Sequence, residues 1–176
     1  MATDKTGGLA GIIAGNTSIA TVGKEGKGLT YRGYSIYDLA EHSIFEEVAY
    51  LLIYGKLPSA SQLREYKENL RKQRGLPSPL RAVLEQIPGS THPMDVLRTA
   101  CSMLGTLEPE NKEHDQIAIA NRLTACFSSM LLYWHQYVNT GKRIDTKTED
   151  DSSAGHFLHL LHGKKPDELC RRAVDV

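Results

Sequence analysis

The hydrophobic pattern of the chain is helical from about Ser35 onward, in capped amphipathic segments separated by short polar breaks. The densest segment is Ser43 to Pro58. Phe45, Val48, Ala49, Leu51, Leu52 and Ile53 cover more than half of a helix circumference there, which predicts a helix that is buried rather than laid on a surface. Ser43 is placed to cap its first turn, and Glu46, three residues on, to complete a capping box. Gly55 stands where a left-handed C-cap is wanted, and Pro58 prevents continuation. The expectation is a central helix with later helices packed around it.

Upstream, residues 1–7 read as a loose tail. Ser18 to Val22 is rich in β-branched residues, Gly23 to Gly28 is a turn, and Leu29-Thr30-Tyr31 returns, which predicts a small hairpin over Ser18 to Tyr31. The Gly/Lys turn lacks the spacing of a phosphate-binding loop. A short helix over Ser35 to Glu41 precedes the central one. The next is capped by Ser59 or Ser61 and runs to about Arg74, stopping at Gly75. Ser78-Pro79 starts another, ended by Pro88-Gly89. A helix opening at Thr91 to Asp95 is expected to reach Leu104 and stop at Gly105, and a long one spans His114 to Asn139. Residues 142–153 are a polar loop without structural signal. Ala154 to His162 forms one more helix, stopped by Gly163, and Pro166 begins a last one that has a start and no stop, as a truncated chain would. The fold class expected is all-α, multi-helical, with a small N-terminal β hairpin.

Composition narrows the function. With 176 residues, 40% hydrophobic and 24% charged, the chain has the balance of a soluble domain with a real core. Lys and Arg equal Asp and Glu at 21 each, so no basic field draws nucleic acid or an anionic membrane. No run is long and apolar enough to span a bilayer, and the N-terminus lacks a signal-peptide core. Cys101, Cys126 and Cys170 have no metal-like spacing and read as reduced thiols of a cytoplasmic protein.

Several residues invite chemistry. His156, His159 and His162 share one helix face at three-residue spacing; core or interface histidines flanked by leucines are the competing reading to a metal site, and no metal is expected. His92 precedes a helix N-terminus, where its ring serves to set the helix start. Ser128-Ser129 lies within a helix, without the elbow of a nucleophile. Glu46-Glu47 reads as a cap and a surface neighbour, not an acid/base pair. Asp95 in a first turn suits the helix dipole, as Lys67, Arg71, Lys72 and Arg74 suit a last turn.

Read in order, Tyr31-Arg32-Gly33-Tyr34, then Phe45 to Pro58 as Phe-Glu-Glu-Val-Ala-Tyr-Leu-Leu-x-x-Gly-x-Leu-Pro, then His92-Pro93-Met94-Asp95-Val96, resemble the citrate synthase family. Leu131 to Trp134 and Gly155 to Gly163 are most similar to its 2-methylcitrate synthase branch. The resemblance runs from about Gly8 to the last residue and covers somewhat under half of a family member. It implies the first part, residues 8–176, of the large helical domain of a homodimer, with the small coenzyme A-binding domain absent. It implies condensation of propionyl-CoA with oxaloacetate and water, the acyl-CoA being substrate and no cofactor being required; acetyl-CoA, in an ordinary citrate synthase, is the alternative. That chemistry needs a carboxylate base, a histidine at the enolate oxygen and another at the ketone. The family's His-Gly-Gly type motif does not occur, since His162-Gly163 is followed by Lys164-Lys165. No catalytic residue is therefore assigned here, and these residues alone are expected to be inactive and, through exposed apolar faces, to self-associate. Arg71, with Arg74 second, matches a substrate-binding position of prokaryotic relatives; a guanidinium suits carboxylates and phosphates. A non-catalytic helical interaction module is the competing class, because every residue present also has a structural reading.

Overall fold

The computed structural model describes residues 15–22 and 28–175. The expected tail over 1–7 and most of the Gly/Lys turn lie outside them. Three two-residue strands come first: β1 (Ala20–Thr21), β2 (Thr30–Tyr31) and β3 (Tyr34–Ser35). They form an antiparallel sheet in that order, with Ala20 opposite Tyr31 and Tyr31 opposite Tyr34. The hairpin expectation thus gains a third strand. Arg32 at φ 49° and Gly33 at φ 90° make a two-residue turn of the mirror-image kind that suits strand twist. The left-handed conformation costs an arginine on the order of 1 kcal/mol. The Arg32 side chain offsets this by donating to Ser18 Oγ at 2.7 Å and to the Leu52 carbonyl at 2.9 Å, tying the sheet to the helices.

The helices are α1 (Ile36–His42), α2 (Phe45–Tyr54), α3 (Ala60–Lys72), α4 (Ser78–Gln86), α5 (Pro93–Leu107), α6 (Gln116–Thr140), α7 (Ser153–His162) and α8 (Glu168–Asp175). Their ends follow local chemistry. Ser59 and Gln62 form a reciprocal capping box on α3, and Asp115 Oδ1 accepts from Ala118 N at 2.8 Å to start α6. Gly141 and Gly163, at φ 70° and 67°, end α6 and α7.

Three expectations change. The hub is α6, not α2. Leu80 and Leu84 of α4, Val96, Ala100 and Leu104 of α5, and Cys126, Met130, Tyr133 and Trp134 of α6 form the main core. On α2 only Glu46 and Leu51 are buried, and Phe45 remains 42% exposed. That helix is apolar over a wide arc, but α3 is its principal helical neighbour and covers only part of it. Phe45 thus leaves apolar surface open, whereas Leu51 and Trp134 are buried. Second, α5 continues through Gly105 to Leu107 and stops at Glu108, whose N–H bonds the Leu104 carbonyl. A glycine ends a helix by turning left-handed, and Gly105 is not among the positive-φ residues. Third, the N-cap of α2 is Ile44, with Glu47 Oε2 accepting from Ile44 N at 3.0 Å. Glu46 is instead 1% exposed and accepts from Ser153 N at 2.6 Å, a demand set by α7 that local sequence does not show.

Candidate functional site

The C-terminal turns of α3 and the segment 142–152 build the principal polar cluster. α3 carries Lys67 and Arg71, and the residues just after it Arg74, toward that segment, which supplies Glu149, Asp150 and Asp151. Arg71 sits against Glu68 in a fork, Nε to Oε2 at 2.9 Å and Nη2 to Oε1 at 3.1 Å, and its Nη1 pairs with Glu149. This holds the Glu68 carboxyl below its usual range and raises the Arg71 guanidinium. Lys67 Nζ lies 2.5 Å from Asp151 Oδ2, which lowers the Asp151 carboxyl; Arg171 of α8 stands 3.6 Å from the same group.

Arg74 has a different task. It is 2% exposed, and burial pushes its guanidinium down against the pull of Asp150 and Glu46. Nη1 donates to the carbonyls of Thr148 and Asp150 and to Thr148 Oγ1, and Nη2 to the Ser152 carbonyl at 3.0 Å. The segment read as a featureless polar loop is therefore a strap. Thr146, Thr148 and Ser152 are buried in it, while Lys147, Glu149 and Asp151 point out.

The strap also sets α7. Ser152 Oγ accepts from Gly155 N at 2.9 Å, and Asp150 Oδ1 accepts from Ser152 N and Oγ. A Cβ on Gly155 would run into the Asp150 carboxylate, so this glycine is required by close approach. His156, 1% exposed, bonds Ser129 Oγ through Nε2 and Thr148 Oγ1 through Nδ1, each at 3.0 Å. Burial, with the charge of Arg74 second, pushes the imidazole down to about 3. It is neutral at ordinary pH, with one ring nitrogen donating and the other accepting.

The structure does not bring the three α7 histidines to one point of use: His156 is interior, His159 half-buried and His162 exposed. Among the described residues no group of three or more His, Cys, Asp and Glu side chains is placed to hold a metal ion. His92 is the N-cap of α5, its Nδ1 accepting from Met94 N at 3.2 Å. Cys126 is buried and its thiol pushed up to about 12 by burial, Cys101 is half-buried and Cys170 exposed. Of the sequence-derived site residues, Arg71 and Arg74 lie in one cluster, with Arg71 at its surface and Arg74 beneath the strap. The sequence alone does not pair Glu149 and Asp151 with the basic end of α3, although an acidic run set against that basic turn was there to be matched.

The family model described as citrate synthase, C-terminal domain, matches residues 8–176. A 2-methylcitrate synthase of Shewanella oneidensis is 55% identical over 169 residues, covering 96% of this chain and 45% of that protein. 2-Methylcitrate synthase 1 of Corynebacterium glutamicum is 37% identical over 172 residues, with the same shares of 96% and 45%. The chain thus spans about half the length of these curated relatives. Among solved structures, citrate synthase from Thermotoga maritima superposes with a TM-score of 0.77 at 30% identity, over 96% of this chain and 44% of that one. Matched by the family model over residues 8–176 and 55% identical to the Shewanella protein over 96% of its own length, the chain belongs to the citrate synthase family.

Proposed function

We propose that these residues are the first part of the large domain of a 2-methylcitrate synthase, which joins propionyl-CoA, oxaloacetate and water to give 2-methylcitrate and CoA in cytoplasmic propionate catabolism. The observation that carries the branch is the 55% identity to the Shewanella enzyme over nearly the whole chain. The enzyme works as a homodimer, and apolar faces such as that of Phe45 favour such association. A base and the enolate- and ketone-directed histidines come from elsewhere in the polypeptide. The 176 residues alone are inert, because the buried His156 is committed to two hydroxyls and His42, 3.9 Å from the Glu41 carboxylate, stands at the open surface.

Within this reading Arg71 is the substrate-facing cation. Its guanidinium is about one-third exposed and its Nη1 partner, Glu149, is 94% exposed, so a substrate carboxylate or phosphate exchanges with Glu149 at little cost. Arg74 supports from below, holding the strap that presents Glu149. The test is turnover of propionyl-CoA against acetyl-CoA by the polypeptide of full family length. A strong acetyl preference makes it a citrate synthase instead, and no turnover of either makes it a helical interaction module. Arg71→Gln should raise KM for an anionic substrate about tenfold, and an unchanged KM removes Arg71 from the site.

A further inference from the structure

Arg71 has one outward donor group. Its Nε and Nη2 are held by the Glu68 carboxylate at 2.9 and 3.1 Å, three residues back on the same helix, so Nη1 alone turns to the strap, where it donates to Glu149. The Glu68 charge is shared with Lys72, whose Nζ stands 3.5 Å from Oε1. The remaining positive charge of this helix end is balanced by Glu149. Among the described residues the Glu149 carboxylate accepts from no other donor, and its side chain is 94% exposed. The residues on either side are fixed. Arg74 Nη1 donates to the carbonyls of Thr148 and Asp150, and Thr148 Oγ1 also bonds the buried His156. The main chain is therefore pinned at Glu149, while no packing holds its side chain.

A carboxylate tethered in this way competes with anions from solution. Its effective concentration beside the guanidinium is on the order of millimolar, at or above the roughly 1 μM–1 mM at which substrates half-saturate enzymes. The pair is exposed and screened by salt, so it gives way to a ligand that brings further contacts. We propose that Glu149 is an autoinhibitory carboxylate: it occupies Arg71 Nη1 in the free protein and swings away when an anionic substrate binds there, raising the substrate concentration required. This rests on the reading of Arg71 as the substrate-facing cation. A carboxylate of oxaloacetate and a phosphate of the acyl-CoA present the same chemistry to the guanidinium.

The test uses the polypeptide of full family length, with KM for oxaloacetate and for propionyl-CoA measured in the parent, Glu149→Gln, Arg71→Gln and the double variant. Glu149→Gln keeps the shape and removes the charge. It is expected to lower one of the two KM values about two- to sixfold, the factor by which an exposed ion pair competes. A fall for oxaloacetate identifies a carboxylate as the displacing anion, and a fall for propionyl-CoA a phosphate. In the Arg71→Gln background the Glu149 change should have no effect, because the guanidinium competed for is gone. If Arg71→Gln raises KM while Glu149→Gln lowers neither value, the autoinhibitory role is overturned and the substrate-facing role of Arg71 stands. If Arg71→Gln leaves both KM values unchanged, both readings fall. A decrease with Glu149→Gln that persists without Arg71 also overturns the proposal, since it reports only the general field of the surface.

Discussion

Replacing Arg74 by methionine should destabilise the protein far more than the same change at Arg71, although the two cations stand three residues apart on one helix end. Arg74 donates to the carbonyls of Thr148, Asp150 and Ser152 from a site 2% exposed. At about 1.5 kcal/mol for each charge-assisted bond, the loss is about 4–5 kcal/mol. Methionine carries no charge to desolvate and keeps part of the packing, which leaves a net of about 3 kcal/mol. Arg71 pairs with Glu68 and Glu149 near solvent, so Arg71→Met should cost below about 1 kcal/mol. In urea, at an m-value of about 2 kcal/mol/M, the Arg74 change lowers the midpoint by about 1.5 M. Amide exchange should show the loss confined first to the strap and the first turn of α7. A midpoint for Arg74→Met within about 0.3 M of that for Arg71→Met would refute the strap-holding role and return Arg74 to the surface cations.

Other outcomes follow from the same geometry. The unfolded chain protonates His156 near its ordinary 6.5 and the folded chain only near 3, so stability is intact above pH 6.5 and declines as pH falls toward 3. Urea melts should lose about 2 kcal/mol between pH 7 and 5, and His156→Gln should remove that slope; an unchanged slope assigns it to other groups. Gly155→Ala drives a methyl into the Asp150 carboxylate, which Ser152 also holds, and should lower Tm by several degrees, about 1–3 kcal/mol; an unshifted Tm means that the strap yields freely. With a thiol reagent Cys170 should react first and Cys126 only on unfolding, and early labelling of Cys126 would contradict its burial in the core. The Glu85 carboxyl, held by Arg143 at 2.7 Å and by the Tyr133 hydroxyl, should titrate near 2 by NMR, and a value near 4.5 would show that these bonds do not persist.

Helix ends with a side-chain cap or a left-handed glycine were legible from the sequence where their chemistry is complete within a few residues, as at Ser59 and Gly163. What was not legible depends on partners far along the chain. Ser43-x-x-Glu46 has the form of a capping box, yet Ser153 N claims the Glu46 carboxylate from 107 residues away. Residues 142–153 show no periodicity because the strap is recognised by its main-chain carbonyls, which every sequence possesses. The same holds for the candidate site. That Arg71 and Arg74 are basic was visible, but which one meets solvent was decided by the path of the strap. α2 misled for a related reason: its apolar arc is real, and its covering is only partial among the described residues.

The contacts of Arg74 with the strap join residues 74 to 78 positions apart, and α4, α5 and α6 lie wholly inside the loop they close. Closing so long a segment from an open chain costs about 4 kcal/mol of entropy. Once those three helices have packed on nearer neighbours, the strap already lies close to α3 and little of that cost remains. The arginine therefore acts as a latch shut after the bundle has assembled. Its loss is expected to speed unfolding while leaving the folding rate almost unchanged in stopped-flow measurements, so that the residue contributes to how long the native chain persists rather than to how quickly it forms.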